Sequence, residues 1–346
     1  MKFVVRAVLA LSALLVVVVA GFGFALVQGA IKPTRTVGVQ IASADDGRGR
    51  PVTAVIYYPA DGQAQLTWLG LTPAMLARDA AVSAGQHPLI LISHGTAGSP
   101  TGHIDTAVAL AERGFIVAAL VHNGDNYQDQ SSVGALNWIS DRAHEVVRVT
   151  DYLTNVWDQH SSIDTNRIGL FGFSAGATTA LANIGAAPDF ALVPQACQAR
   201  PEFVCQLLAP GVVLSNPAEQ EVHDPRIKAA LLAAPGFGMA FTRAELESAA
   251  IPVDVWVGAA DTSTPANINA LAIAQYLPAH PNVHVIEGAG HASFLAPCGI
   301  VGVLMPPMVC ADGSGFDRVA FHRSFNGEVV SFFSRSLNYS AESAEQ

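Results

Sequence analysis

Residues Arg167–Gly176 read R-I-G-L-F-G-F-S-A-G, and this stretch decides the fold. Ile168 to Phe173 is an apolar run that suits a buried strand. Gly172-Phe173-Ser174-Ala175-Gly176 then fits G-x-S-x-G, and Ala177 to Ile184 are small, apolar helix formers. Strand, sharp turn and helix is the context in which this pentapeptide presents a strained, outward-standing serine as a nucleophile. The flanking glycines are required because a side chain at either position would strike the neighbouring strand or helix. The pentapeptide alone also arises by chance in glycine-rich chains, so its meaning depends on its surroundings.

Those surroundings alternate strand and helix. Pro88–Ser93 and Phe115–Val121 are continuous apolar runs, as expected of strands buried on both faces. A helix is expected over Gly102–Arg113. A longer one follows, in which Leu136, Ile139, Ala143, Val146, Val149, Leu153 and Val156 recur at the helical period. Beyond the elbow, strands are expected at Ile227–Ala233, Val253–Val257 and Val283–Ile286. Helices are expected near Thr242–Ser248, over Pro265–Tyr276 and over Arg318–Ser334. Upstream, Thr36–Ala42 and Val52–Tyr58 read as an antiparallel hairpin at a sheet edge. The connection Asp61–Gly85 reads as irregular with one short helix around Pro73–Ala80. The pattern predicts an α/β fold with a mostly parallel central sheet and helices on both faces. Residues 186–224, rich in Pro, Ala and Gln, interrupt it as an insertion that reads as a small cap.

At the N-terminus, Lys2 and Arg6 precede an apolar stretch from Ala7 to Val27. This reads as a signal peptide or a membrane anchor over residues 1–29, ahead of one catalytic-type domain over 30–346. Either reading exports the domain to the periplasm, the medium or the outer membrane face. Four cysteines, Cys197, Cys205, Cys298 and Cys310, fit that compartment as two disulfides, each expected within its own irregular segment. The formal net charge of −10 becomes −12 without Lys2 and Arg6, and no basic run is present, which argues against nucleic acid as a partner. No tight Cys/His spacing suggests a metal, and no cofactor is called for.

Candidate chemistry sits where open α/β sheets collect it, at the carboxyl ends of strands. Ser174, Asp261 and His291 each follow a strand, in that chain order. A serine hydroxyl needs a base to remove its proton, histidine suits that near neutral pH, and a carboxylate fixes the histidine tautomer. Asp261 in D-T-S-T-P also fits a helix N-cap. Asp125 and Asp254 compete for the acid, with Asp254 expected to point away from the site. Backbone N–H groups of Thr96 and Ala175 are the expected oxyanion donors. His94 is expected to shape its turn. Trp138, Phe237 and Met239 are candidates for an acyl pocket and equally for the core.

Five segments together carry a resemblance: S-H-G-T-A-G (93–98), H-N-G-D-N (122–126), the elbow, I-P-V-D-V-W-V-G-A-A-D (251–261) and A-G-H-A-S-F-L-A-P-C (289–298). Over about Thr36 to Phe333 the chain resembles the predicted dienelactone hydrolase group of α/β-hydrolases. That group is similar to platelet-activating-factor acetylhydrolases and bacterial polyester hydrolases. The resemblance implies an α/β-hydrolase fold and serine-dependent cleavage of a small or lipid-like carboxylic ester. It departs from the group in two ways. The dienelactone hydrolases proper use a cysteine nucleophile where this chain has Ser174. Many relatives carry histidine and glycine where this chain has Phe173 and Ala177. An amidase or peptidase with the same triad, and a non-catalytic binding protein on this scaffold, are the alternatives.

Overall fold

In a computed structural model, residues 2–209, 211–217, 222–299, 302 and 305–340 are described. Parts of the expected insertion (residue 210 and residues 218–221), of the loop after His291 and of the C-terminal tail lie outside them.

An apolar helix α1 (Lys2–Gln28) leads into strands β1 (Val37–Ala44), β2 (Val52–Asp61), β3 (Gln65–Leu69), β4 (Thr72–Arg78), β5 (Ala81–Val82) and β6 (His87–Ser93). Then come α2 (Ile104–Glu112), β7 (Ile116–Val121), α3 (Trp138–Asn155), β8 (Ile163–Phe173) and α4 (Ala175–Asn183). Two short helices, α5 (Val193–Ala199) and α6 (Phe203–Leu207), precede β9 (Ile227–Ala233), α7 (Arg243–Leu246), β10 (Val253–Gly258), α8 (Ala270–Tyr276) and β11 (Asn282–Ile286). The chain closes with α9 (Pro307–Cys310) and α10 (Arg318–Ser336).

The sheet runs β11-β10-β9-β8-β6-β7-β2-β1-β4-β3, with β5 added to β2. From β11 to β7 every pairing is parallel, and β2 joins β7 antiparallel. Alternation along β6 divides the interior. Leu89 and Leu91 face a core made with α3, α4 and α8, whereas Ile90 and Ile92 face one made with α2 and α10. The second core centres on Phe325, whose ring meets Trp256, Phe294, Phe171 and Phe321 at 4.9–6.3 Å between centroids.

Two expected elements differ. The helix expected over Pro265–Tyr276 begins only at Ala270, after a series of turns. The 73–80 segment is a strand, not a helix: β4 pairs antiparallel with β3, Leu66 opposite Met75 and Trp68 opposite Pro73, and parallel with β1. Its helical composition yields to the burial of Ala74, Leu76 and Ala77 against the sheet core, a tertiary override of local preference. The edge of the sheet is therefore β3, and the β1–β2 hairpin is internal. Among its described residues the insertion carries a 3₁₀ turn at Phe190–Leu192 and the short helices α5 and α6, joined by Cys197–Cys205. A second disulfide, Cys298–Cys310, closes the segment after His291.

Phe325→Ala should destabilise the fold by about 3–5 kcal/mol, since it empties a fully buried aromatic site. The check is a lower urea midpoint at unchanged slope. A midpoint like that of the parent would remove Phe325 from the core.

Candidate active site

β8 ends at Phe173, and Ser174 turns the chain into α4 with φ 55° and ψ −120°. A non-glycine residue there is strained by roughly 1–3 kcal/mol and persists only where its neighbours over-determine it. Three close approaches do so. A Cβ on Gly176 would lie 2.0 Å from the Ser93 carbonyl oxygen. One on Gly172 would lie 2.3 Å from the Gly176 oxygen, and one on Gly95 would lie 3.1 Å from the Ser174 Cβ. The Ser174 N–H is anchored on the Ala233 carbonyl of β9 at 2.9 Å.

His291 opens a 3₁₀ turn after β11, and Asp261 follows β10. The structure brings the three together. Ser174 Oγ is 2.9 Å from His291 Nε2, and His291 Nδ1 is 2.7 Å from Asp261 Oδ2. With Nδ1–H donating to the carboxylate, Nε2 is left to accept from the serine hydroxyl. Asp261 does not cap a helix, since α8 begins only at Ala270 with Asn269 at its N-cap; its Oδ1 instead accepts from the N–H groups of Ser263 and Thr264 at 2.8 and 2.9 Å in a local turn. The Asp261 side chain is fully buried and that of His291 is 20% exposed, so the imidazole edge is the accessible part.

The rival carboxylates lie elsewhere. Asp254 accepts from the Trp256 indole N–H at 2.8 Å and meets His284 at 3.2 Å. Asp125 is buried in an ion pair with Arg142, and it accepts from the Trp138 indole and from the Ala97 N–H, each at 2.7 Å. It therefore holds the 93–98 loop from beneath. Trp138 and Phe237 are buried against each other, with centroids 5.7 Å apart, and Met239 is half-buried beside them. A cavity of about 800 Å³ opens behind the His291 loop, lined by Pro297, Cys298, Phe316 and Arg318 and by none of those three. Thr96 is half-buried on the loop facing the elbow, and Ala175 is the first residue of α4, whose leading N–H groups have no intrahelical acceptor.

Several supporting groups escaped the sequence reading. Arg142 and Glu145 lie on the inward face of α3, one and two turns beyond Trp138, a spacing that marks them for burial. Arg142 donates to the His94 carbonyl, and at 3.3 Å to Ser93 Oγ. Burial raises the Glu145 carboxyl to about 8 and holds the His122 imidazole well below its usual range. Glu145 Oε2 lies 2.8 Å from His122 Nδ1, and His122 Nε2 lies 2.8 Å from Ser93 Oγ. His94 donates from Nδ1 to the Gly95 carbonyl at 2.7 Å and accepts the His122 N–H on Nε2. Burial, then the Arg142 charge, lowers it to about 4, so it is a neutral turn-former.

On the other flank, the Thr264 hydroxyl bridges Asp261 Oδ2 and His291 Nδ1 at 3.0 and 3.2 Å. Glu202, from the insertion, accepts from the Asn269 amide at 2.7 Å. Its carboxyl is raised by burial and by the Asp261 charge. No local pattern marks Glu202, because its partners lie far along the chain. His103 sits among Phe171 and Phe173, and burial lowers it to about 3. The Phe294 backbone is near, but neither ring nitrogen makes a well-formed hydrogen bond.

No family model matches the sequence. Over 113 residues it is 29% identical to a probable 2-oxo-3-(5-oxofuran-2-ylidene)propanoate lactonase from a Bradyrhizobium species, a match spanning 31% of this chain and 44% of that protein. The chain thus spans less than half the length of that curated relative. Among solved structures it is similar to a ferulic acid esterase from Streptomyces cinnamoneus, with TM-score 0.62 at 17% identity, covering 90% of this chain and 94% of the other. It is also similar to a dienelactone hydrolase from Anabaena variabilis ATCC 29413, with TM-score 0.52 at 14% identity, covering 87% and 99%. At these identities the likeness is one of fold. Taken with the sheet order and the two helical layers, it shows that the chain has the α/β-hydrolase fold.

The buried neutral histidines give stability a pH dependence. Both His94 and His103 have folded values below the ordinary 6.5. Above that pH neither state carries the charge. As pH falls below it, the unfolded chain takes up protons that the folded chain refuses, so stability declines until the folded values are reached. Glu145 acts in the opposite sense, its contribution fading as pH rises from 4.5 toward about 8. His103→Phe isolates one group: the difference in urea midpoint between parent and variant should shift in the variant's favour as pH falls from about 6.5 to 4. A pH-independent difference would mean that His103 is not held neutral.

Proposed function

We propose that the chain is an exported serine hydrolase that cleaves carboxylic esters through Ser174, His291 and Asp261. The observation that carries this reading is the continuous pair of contacts, Ser174 Oγ to His291 Nε2 at 2.9 Å and His291 Nδ1 to Asp261 Oδ2 at 2.7 Å, built on a strained elbow. In this reading His291 takes the hydroxyl proton as Ser174 Oγ attacks the carbonyl carbon. Asp261 stabilises the imidazolium that forms. The oxyanion is met by the N–H groups of Thr96 and Ala175, the loop of the first being pinned through Ala97 and Asp125. His291 then gives the proton to the leaving alcohol, and an acyl group remains on Ser174 until water, deprotonated in turn by His291, removes it. No metal or cofactor enters the reaction.

The lactonase, esterase and dienelactone hydrolase likenesses support ester or lactone bonds as the substrate class. The apolar helix and the two disulfides support export, with α1 as a signal peptide or a membrane anchor. The insertion carrying Glu202 serves as a small cap over the acid side of the site.

Purified protein should hydrolyse p-nitrophenyl esters and leave the matching anilides nearly untouched. Ser174→Ala should lower kcat by about 10⁴–10⁶. Asp261→Asn should lower it by about 10⁴ with folding intact. Asp125→Asn should instead act on stability, because it leaves Arg142 buried with a neutral partner. Retention of most ester hydrolysis by Ser174→Ala, or faster turnover of the anilides, would overturn the assignment.

A further inference from the structure

β3 ends the sheet, and its hairpin with β4 has two apolar faces. The inner face, Thr67, Leu69, Ala74 and Leu76, is buried in the core. On the outer face Leu66 and Trp68 stand 37% and 43% exposed above Met75 and Pro73, and Leu71 at the turn is 58% exposed. An edge hairpin in water ordinarily carries polar or charged residues outward, because an apolar free edge invites association. This one carries them nowhere along that face.

The same hairpin receives the chain as it leaves α1. The Ile31 N–H donates to the Pro73 carbonyl at 3.0 Å, and the Ile31 carbonyl accepts from the Met75 N–H at 2.8 Å. Three residue steps separate Gln28 from Ile31, so the end of α1 lies within about 10 Å of the residue that is bonded to β4. The stretch Leu11–Gln28 is apolar, exposed up to Gly21 and only partly covered at Phe22, Gly23, Ala25 and Leu26, and α1 has the length that spans a bilayer. An exposed tryptophan flanked by leucines at such a helix end suits the boundary between headgroups and acyl chains.

We propose that the outer face of the β3–β4 hairpin, through Leu66, Trp68 and Leu71, rests in the interfacial layer of the bilayer that α1 enters. The contact rests on α1 being a retained anchor and is independent of the chemistry at Ser174. It fixes the domain against the membrane at a second point, so that the sheet edge rather than a flexible tether sets its height and tilt.

Trp68 is itself the probe, since Trp138, Trp157 and Trp256 are 1%, 1% and 4% exposed. The full chain is reconstituted in phosphatidylcholine vesicles with or without bromine near the headgroup end of the acyl chains. The Trp68 signal is taken as the difference between the parent and Trp68→Phe. It should be quenched by about half or more by brominated lipid and protected from aqueous iodide. Leu71→Ser should shift it toward iodide while leaving hydrolysis of a soluble ester unchanged. If the protein floats with vesicles but Trp68 remains open to iodide, the hairpin contact is wrong and the anchor reading stands. If it does not float, both are wrong. Protection from iodide without bromine quenching would mean that a second copy covers the hairpin, and would overturn the proposal.

Discussion

The approach of α4 to the end of β6 is the constraint on which the site depends. There is no room for a side chain between Gly176 and the Ser93 carbonyl, or between Gly172 and the first turn of α4. Helix and strand can meet so closely only if one residue between them turns through a left-handed conformation, and that residue is Ser174. The strain is held by the parallel strands on either side, β6 and β9, which pair with β8 up to its end, Ser93 opposite Gly172 and Ala233 opposite Phe173. The outward aim of the hydroxyl is thus a property of the whole sheet. The partners of Ser174 arrive on the loops after β10 and β11 because a parallel sheet puts all such loops at one edge.

Beneath that edge lies a layer that is charged, polar and buried. Asp125 and Arg142 neutralise each other there with almost no exposure, and Arg142 donates further to Ser93, the His94 carbonyl and Thr179. A buried ion pair of this kind adds little net stability, since desolvation consumes most of the attraction. Its consequence is geometric. Asp125 fixes Ala97 in a left-handed turn, Arg142 fixes the His94 carbonyl, and the His122–Glu145 pair fixes Ser93. The 93–98 loop is therefore bound at three points before any substrate is present, which is the preorganisation an oxyanion site requires.

Much of this was legible in the chain. The apolar runs at Pro88–Ser93 and Ile168–Phe173 read as strands buried on both faces and are buried there, and the three candidate residues each follow a strand, although β11 ahead of His291 is a partly exposed edge strand. Asp261 was read as a cap or as a partner of His291; it caps no helix, but its Oδ2 lies 2.7 Å from His291 Nδ1 while its Oδ1 holds the turn at Ser263 and Thr264. What local pattern could not show was long-range compensation. Residues 73–80 have helical composition, yet the open side of β1 takes them as a strand. Arg142 and Glu145 carried a signal in their helical phase, but their partners come from loops whose approach only the folded sheet defines. Glu202 reaches Asn269 across 67 residues, and nothing in its own segment points there.

The central claim is that Ser174 is an activated nucleophile, and covalent labelling tests it most directly. The intact protein is treated with a fluorophosphonate at neutral pH and digested, and the adduct is located by mass spectrometry. The account predicts one adduct per chain, on the peptide containing Ser174, formed far more slowly in His291→Ala. A protein that takes no label, or takes it on another serine while still hydrolysing esters, would contradict it.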